Sequence, residues 1–356
     1  MRYPGDKRPF GSLSFAFDVR NVVVALLAGA GAACTPGSFQ APAVARIDQV
    51  VRWDQQLVLE ETNQVRLVTP NVQLEPDGGF LVADVREHVL SRYDAGGRLV
   101  QHLGRFGRGP GEFERLMAGV RVPGAIWCFE MSGEVEVFDS SGAFRRSVRL
   151  PLAPLYNATR LDDSTIVLTG RRRDPQAPGL IHLLNVKRDS IVRSFFGVPQ
   201  HDPELSGAYA ISGATDVALR QGRIAAVFAL ADTVYLYGAD GTPDGKRPIP
   251  FKNFRKLTRN VPHTASAEDL RAWRESYSRV GRVFWLRDGS FLVSYFDMDG
   301  VEAQWRLLHM DSAGTLLFDL PDSPRLLAVA PRDSRLFFLN PQSPGPNQWS
   351  VAHLLR

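Results

Sequence analysis

Seven histidines offer the first places to look for metal or proton chemistry: His88, His102, His182, His201, His263, His309 and His353. No two of them sit at the short spacing by which one helix or strand presents a pair of imidazoles to an ion. No G-x-S-x-G elbow, no Walker phosphate loop and no H-E-x-x-H motif occurs. Asp297-Met298-Asp299-Gly300 has the start of a calcium loop without its remainder, and reads as a turn. The other chemistry-bearing residues are basic: Arg105 and Arg108, the run Arg171-Arg172-Arg173, and Arg255, Lys256 and Arg259. Cations gathered on one surface would favour an anionic ligand, polymer or protein. What they do depends on the elements that position them.

The chain has 356 residues, 44% of them hydrophobic and 22% charged, so it can bury a sizeable core without disulfides. Its formal charge is +4, and removal of residues 1–33 takes away four Lys/Arg and two Asp/Glu, leaving +2. That balance gives no argument for nucleic-acid binding. Nothing in the sequence calls for assembly, and a monomer is expected. Of the two cysteines, Cys128 lies in the apolar run Ile126-Trp127-Cys128-Phe129 and is expected to be a small buried hydrophobe.

Cys34 has a different setting. Arg2, Lys7, Arg8 and Arg20 precede an apolar run over 22–33 that ends in Gly31-Ala32-Ala33, the parts of a secretory signal. Twelve apolar residues are too few to span a bilayer as a helix. The cysteine directly after Gly-Ala-Ala resembles a bacterial lipobox. That resemblance implies a signal peptide over 1–33, lipidation of Cys34, a linker over 34–42 and a protein exported but held at a bacterial membrane. An ordinary cleaved signal and an uncleaved anchor are the alternatives.

From residue 43 onward, short apolar or alternating runs of four to seven residues alternate with turn residues, which is a strand pattern. The turns repeat in two types. Pro76-Asp77-Gly78-Gly79 and Arg287-Asp288-Gly289-Ser290 represent the first, Asp94-Ala95-Gly96-Gly97 and Asp139-Ser140-Ser141-Gly142 the second. Asp and Gly suit them because tight hairpins need positive φ and local side-chain caps. Asp94 to Asp139 and Asp288 to Asp333 are both steps of 45 residues. Four short strands per such unit make one propeller blade. Units at 70–103, 115–150, 156–196, 213–251, 282–320 and 325–355 give an all-β, six-bladed β-propeller of four-stranded antiparallel blades over 43–356. The sixth unit has three clear strands. An N-terminal strand, from 43–51 or 56–60, is expected to close the ring and remove the open sheet edges.

The blade containing Val82-Ala83-Asp84 and His88-Val89-Leu90-Ser91-Arg92-Tyr93-Asp94, with the stretch Phe106-Gly107-Arg108-Gly109-Pro110-Gly111-Glu112-Phe113 after it, resembles the NHL-repeat-like six-bladed propellers of bacteria. The resemblance implies that architecture, also called TolB-like, without a single activity. The superfamily includes lyases, lactonases and binding modules.

Strand direction alternates within a blade. The two types of short turn therefore share one face, and the second-to-third-strand and blade-to-blade connections share the other. Nearly every long segment belongs to that second set: 105–113, 171–179, 197–210, 252–281 and 340–347. Function concentrates on such loops. The insertion 252–281 carries seven cations against three acids, and Ser266, Ala267, Glu268 and Asp269 open a helix that places Leu270, Trp273 and Tyr277 on one side. The loop-rich basic face is thus the expected binding face, for an anionic ligand or protein and without a cofactor. The competing expectation is an enzyme of lyase or lactonase type holding calcium or zinc at the axial channel. Its weak metal candidates are Asp84, His88, Asp232 and Asp297, with Glu87 and Asp299 nearby, all expected in loops on the same face.

Overall fold

The computed structural model describes residues 45–355, apart from 175–178, 200, 263–265, 301, 331, 341 and 343–344. The expected signal segment, Cys34, the linker 34–42 and His263 lie outside the described residues. Six antiparallel sheets of four strands form a ring. Blades I to V occupy 70–103, 116–149, 152–195, 215–248 and 279–320, within a few residues of the units read from the sequence. Blade VI combines the three strands of 326–354 with Val51–Val58, which pairs from Val51↔Leu354 to Val58↔Gln348. This closing strand spans the stretch between and partly into the two expected runs, and Ile47–Val50 before it forms one helical turn, α1. Its centre, Arg52 to Gln56, is exposed, so apolar pattern could not reveal it. Pairing with the C-terminal strand of the chain decides its place.

The core consists of six wedges, one between each pair of neighbouring blades. Leu90, Phe113 and Cys128 fill the wedge between I and II, and Trp127, Leu155 and Leu168 fill that between II and III. Ile181 and Phe228 lie between III and IV, Val234 and Tyr295 between IV and V. Leu292 and Phe338 lie between V and VI, and Phe80 and Trp349 join VI to I. A middle strand such as Phe80–Asp84 is sandwiched between two wedges and buried on both faces, so its sequence is continuously apolar rather than alternating. Outer strands such as Phe144–Arg149 are almost wholly exposed. Each large apolar side chain taken fully out of water contributes about 1.5–3 kcal/mol. Cys128 is buried and free.

Among the described residues, two helices besides α1 stand outside the blades. The expected helix is present as α3 (Ala267–Glu275), capped by Ser266 Oγ accepting from the Asp269 N–H at 3.1 Å, with Asp269 Oδ2 accepting from the Ser266 N–H at 3.0 Å. A second helix, α2 (Ser206–Ser212), follows a 3-10 turn at Pro203–Leu205 and was not expected. It has no side-chain cap of its own and forms against α3.

Candidate functional site

The inner strands of the six blades are Pro70–Leu74, Leu116–Val122, Leu152–Arg160, Thr215–Arg220, Arg279–Trp285 and Leu326–Val329. Polar residues interrupt these otherwise apolar segments, and they meet at the axis. Asn71 Nδ2 donates to the Met117 carbonyl at 2.7 Å and to Asn157 Oδ1 at 3.3 Å. Asn157 Nδ2 donates to Asp216 Oδ1 at 3.2 Å. Asp216 Oδ2 accepts from the Val283 N–H at 3.1 Å and faces Arg282 Nε at 3.8 Å. Arg282 Nη1 then donates to the Leu327 carbonyl at 2.8 Å. This chain of contacts takes a group from every blade. Burial pushes the Asp216 carboxyl above its usual value, against the opposing pull of Arg282. The axis is therefore laced by hydrogen bonds that use Asn71, Asn157, Asp216 and Arg282. Sequence reading missed this network. Its one signal is a polar residue breaking the apolar pattern of a predicted inner strand.

The metal candidates sit elsewhere and apart in role. Asp84 is fully buried at the end of its strand, where its carboxylate accepts four backbone N–H bonds, from Val68 at 2.6 Å, Thr69 at 2.8 Å, and Arg86 and Glu87 at 2.9 Å each. His88 adopts a positive φ of 59° and packs its ring 5.0 Å from Phe106. Asp232 pairs with Lys256 at 2.9 Å. Asp297 pairs with Arg255 at 3.0 Å, faces Arg306 at 3.6 Å and accepts from Ser278 Oγ at 2.6 Å. Asp297 and Asp299 were expected in a loop, but the second strand of blade V extends through both as Phe291–Asp299. Among the described residues, no three His, Cys, Asp or Glu side chains are grouped to hold a metal ion.

The basic candidates divide in the same manner. Two cations of the insertion, Arg255 and Lys256, are tied to Asp297 and Asp232. Two residues read as part of a cationic rim are thus partners of two read as metal ligands. Arg105 pairs with Glu112 at 2.7 Å, and Arg108 pairs with Glu114. Glu112 Oε2 also accepts from the Gly109 N–H at 2.8 Å, and these bonds hold its carboxyl below the usual range. The stretch Phe106–Phe113 is therefore a loop folded around Glu112. Gly107 has φ 157°, and a Cβ there would fall 2.0 Å from Glu112 Oε2. A Cβ at Gly104 would fall 2.0 Å from the buried Phe113 ring. Arg171 and Arg172 were expected in a loop but end the strand Thr165–Arg172. Both are half-buried, and Arg171 donates to the Tyr209 carbonyl, tying blade III to α2. Arg173 and Arg259 are exposed, Arg173 donating to the Ser132 carbonyl at 2.6 Å.

The loop-rich face carries its own small core. Ala208 on α2 packs with Trp273 and Tyr277 of the insertion, against Leu230, Leu257 and Val261. Trp273 Nε1 donates to the Arg259 carbonyl at 3.1 Å, and the Tyr277 and Ser212 hydroxyls are 2.7 Å apart. Asn260 Oδ1 accepts from the Ala208 N–H at 2.7 Å. Two insertions distant in sequence become one lid over blades III to V.

No family model and no curated protein matches this chain. Solved structures match it in fold. A member of the DUF4221 family from Bacteroides vulgatus has a TM-score of 0.60 at 12% identity, covering 86% of this chain and 97% of its own. A Bacteroides fragilis protein assigned as exported has a TM-score of 0.59 at 13% identity, covering 88% and 97%. The WD40 repeats of RRP9 give 0.53 at 12% identity, covering 86% and 100%. At such identities the likeness is one of fold alone.

Proposed function

We propose that this chain is an exported propeller of NHL-repeat-like type, tethered to a bacterial membrane through Cys34, that works as a non-catalytic binding or scaffold module. One observation carries the reading: long connections collect on one face, and two of them build a lid with its own core, whereas the other face is formed by tight turns. A scaffold that needed only ring stability would gain nothing from ordering some forty residues there. Asp84, Asp232 and Asp297, the acids that a calcium- or zinc-dependent lyase or lactonase would need, are committed to backbone or cationic partners, and among the described residues no carboxylate joins His88 in a metal-binding group.

The partner class that suits the face is an anionic ligand or acidic protein, met by Arg173 and Arg259 rather than by the whole set of basic candidates. Arg105, Arg108, Arg255 and Lys256 already face carboxylates. The test is binding of an acidic polypeptide, poly-L-glutamate, to the domain lacking residues 1–33. The double variant Arg173→Glu and Arg259→Glu should lose binding while its thermal unfolding stays unchanged, and undiminished binding rejects the electrostatic part. For the tether, the full chain expressed in bacteria should partition into a detergent phase, and Cys34→Ser should release it to the aqueous phase. Equal partitioning of the two rejects lipidation.

A further inference from the structure

A cleft of about 1020 Å³ opens between blades V and VI. Its walls come from the end of the blade V hairpin, the connection between the two blades, the second-to-third-strand loop of blade VI and the centre of the closing strand. The volume is at the upper end of what small-molecule sites occupy.

Its lining has a definite chemistry. Trp53 and Trp305 contribute indoles, and Gln56, Gln304 and Asn340 contribute amides. Trp53 is 42% exposed, unusual for so large an apolar ring, and rests edge-on against Phe338 at 5.5 Å. The closing strand has a bulge between Trp53 and Gln55. The extra residue, Asp54, lies between Trp53, which pairs with Ala352, and Gln55, which pairs with Val351, so Trp53 and Gln56 both fall on the blade V side of the strand. Bulges re-aim side chains in this manner next to binding sites.

Arg325 supplies the third component. It lines the cleft with its guanidinium 5.4 Å from the centre of the Trp305 ring, and among the described residues no carboxylate is ion-paired with it. The neighbouring charge is another cation, Arg282, and burial together with that neighbour pushes the Arg325 pKa down. Two carboxylates border the same cleft: Asp54, which faces His353 at 3.7 Å, and the exposed Asp322. A half-buried guanidinium without an anion, beside indole rings and planar amides, describes a ligand with an apolar ring face, several hydroxyls and one carboxylate.

We propose that the cleft between blades V and VI binds a carboxylated saccharide, its ring against the indoles, its hydroxyls on the amides and its carboxylate on Arg325. This site shares no residue with the lid or with Arg173 and Arg259, so it stands or falls separately from the reading of the loop-rich face.

Calorimetric titration of the domain lacking residues 1–33 with oligosaccharides of glucuronate, galacturonate and mannuronate, and with their uncharged counterparts, tests it. At least one uronate oligomer should bind, about tenfold or more tighter than its neutral counterpart, the difference expected of a charge-assisted hydrogen bond. Trp53→Ala should weaken both by about tenfold or more, as loss of an aromatic contact does, and Trp53→Phe should restore part of it. Arg325→Gln should reduce uronate binding to the neutral level and leave neutral binding unchanged, with circular dichroism confirming the fold. Arg173→Glu with Arg259→Glu should change nothing here. Absence of binding to every uronate, or binding indifferent to both Trp53→Ala and Arg325→Gln, overturns the proposal.

Discussion

The two faces of the ring use the same residue, aspartate, for opposite purposes. On the turn-rich face the carboxylate closes its own hairpin: Asp77, Asp162, Asp240, Asp288, Asp311 and Asp333 each accept from a backbone N–H two residues ahead. On the loop-rich face Asp84 holds the connection between blades VI and I, and Asp232 and Asp297 hold the insertion 252–281. A local cap can be lost and replaced by water. A buried carboxylate that organises a distant segment cannot. The turn-rich face is therefore redundant and the loop-rich face is not.

Asp84→Ala should break that contrast most severely. Four backbone N–H groups lose their acceptor inside the protein, and urea unfolding should show a loss of about 3–5 kcal/mol. A loss under about 1 kcal/mol would mean that water reaches the site. Next comes Trp273→Ala, which empties the lid core at a local cost of about 2–4 kcal/mol. Hydrogen exchange should rise across 203–212 and 252–281 and stay unchanged in the blades; exchange rising throughout would show that the lid and the ring unfold together.

A smaller effect distinguishes the axis from both faces. The raised pKa of Asp216 means that the folded state holds this proton more tightly than the unfolded chain does. Its contribution is favourable below the ordinary carboxylate value near 3.8 and is lost as pH rises through the elevated value. Asp216→Asn removes that dependence, so the stability of the native protein relative to the variant should increase as pH falls through this window. A difference independent of pH would show an unperturbed carboxyl. The smallest change expected is Asp288→Ala on the turn-rich face, about 1 kcal/mol by thermal unfolding, since its cap serves one exposed hairpin. A cost rivalling that of Asp84→Ala would erase the distinction between the faces.

This contrast also marks what could be read from the sequence. The six blades, the grouping of long connections and the cap of α3 were legible because each follows from short-range pattern: strand period, Asp-Gly turns, or Ser266 three residues before Asp269. Helix α2 was not, because no cap announces it and its stability comes from Trp273 and Tyr277, more than sixty residues away. The partners of the basic rim lay hidden for a related reason. Composition counts Arg255 and Lys256 as free charge, whereas their acids, Asp297 and Asp232, arrive from other parts of the chain. Asn157 is one polar residue in an inner strand, and only the closed ring sets it against Asp216.

The closing strand has a mechanical consequence. A pull delivered through the N-terminal segment passes the Ala45 N–H bond to the Asp319 carbonyl and then reaches Val51–Val58, whose pairing with Gln348–Leu354 is antiparallel and lengthwise. Force along that ladder loads its hydrogen bonds in shear, all at once, rather than peeling them open in succession. The ring would yield to such a load, when it does, by losing a single strand with the other five blades intact.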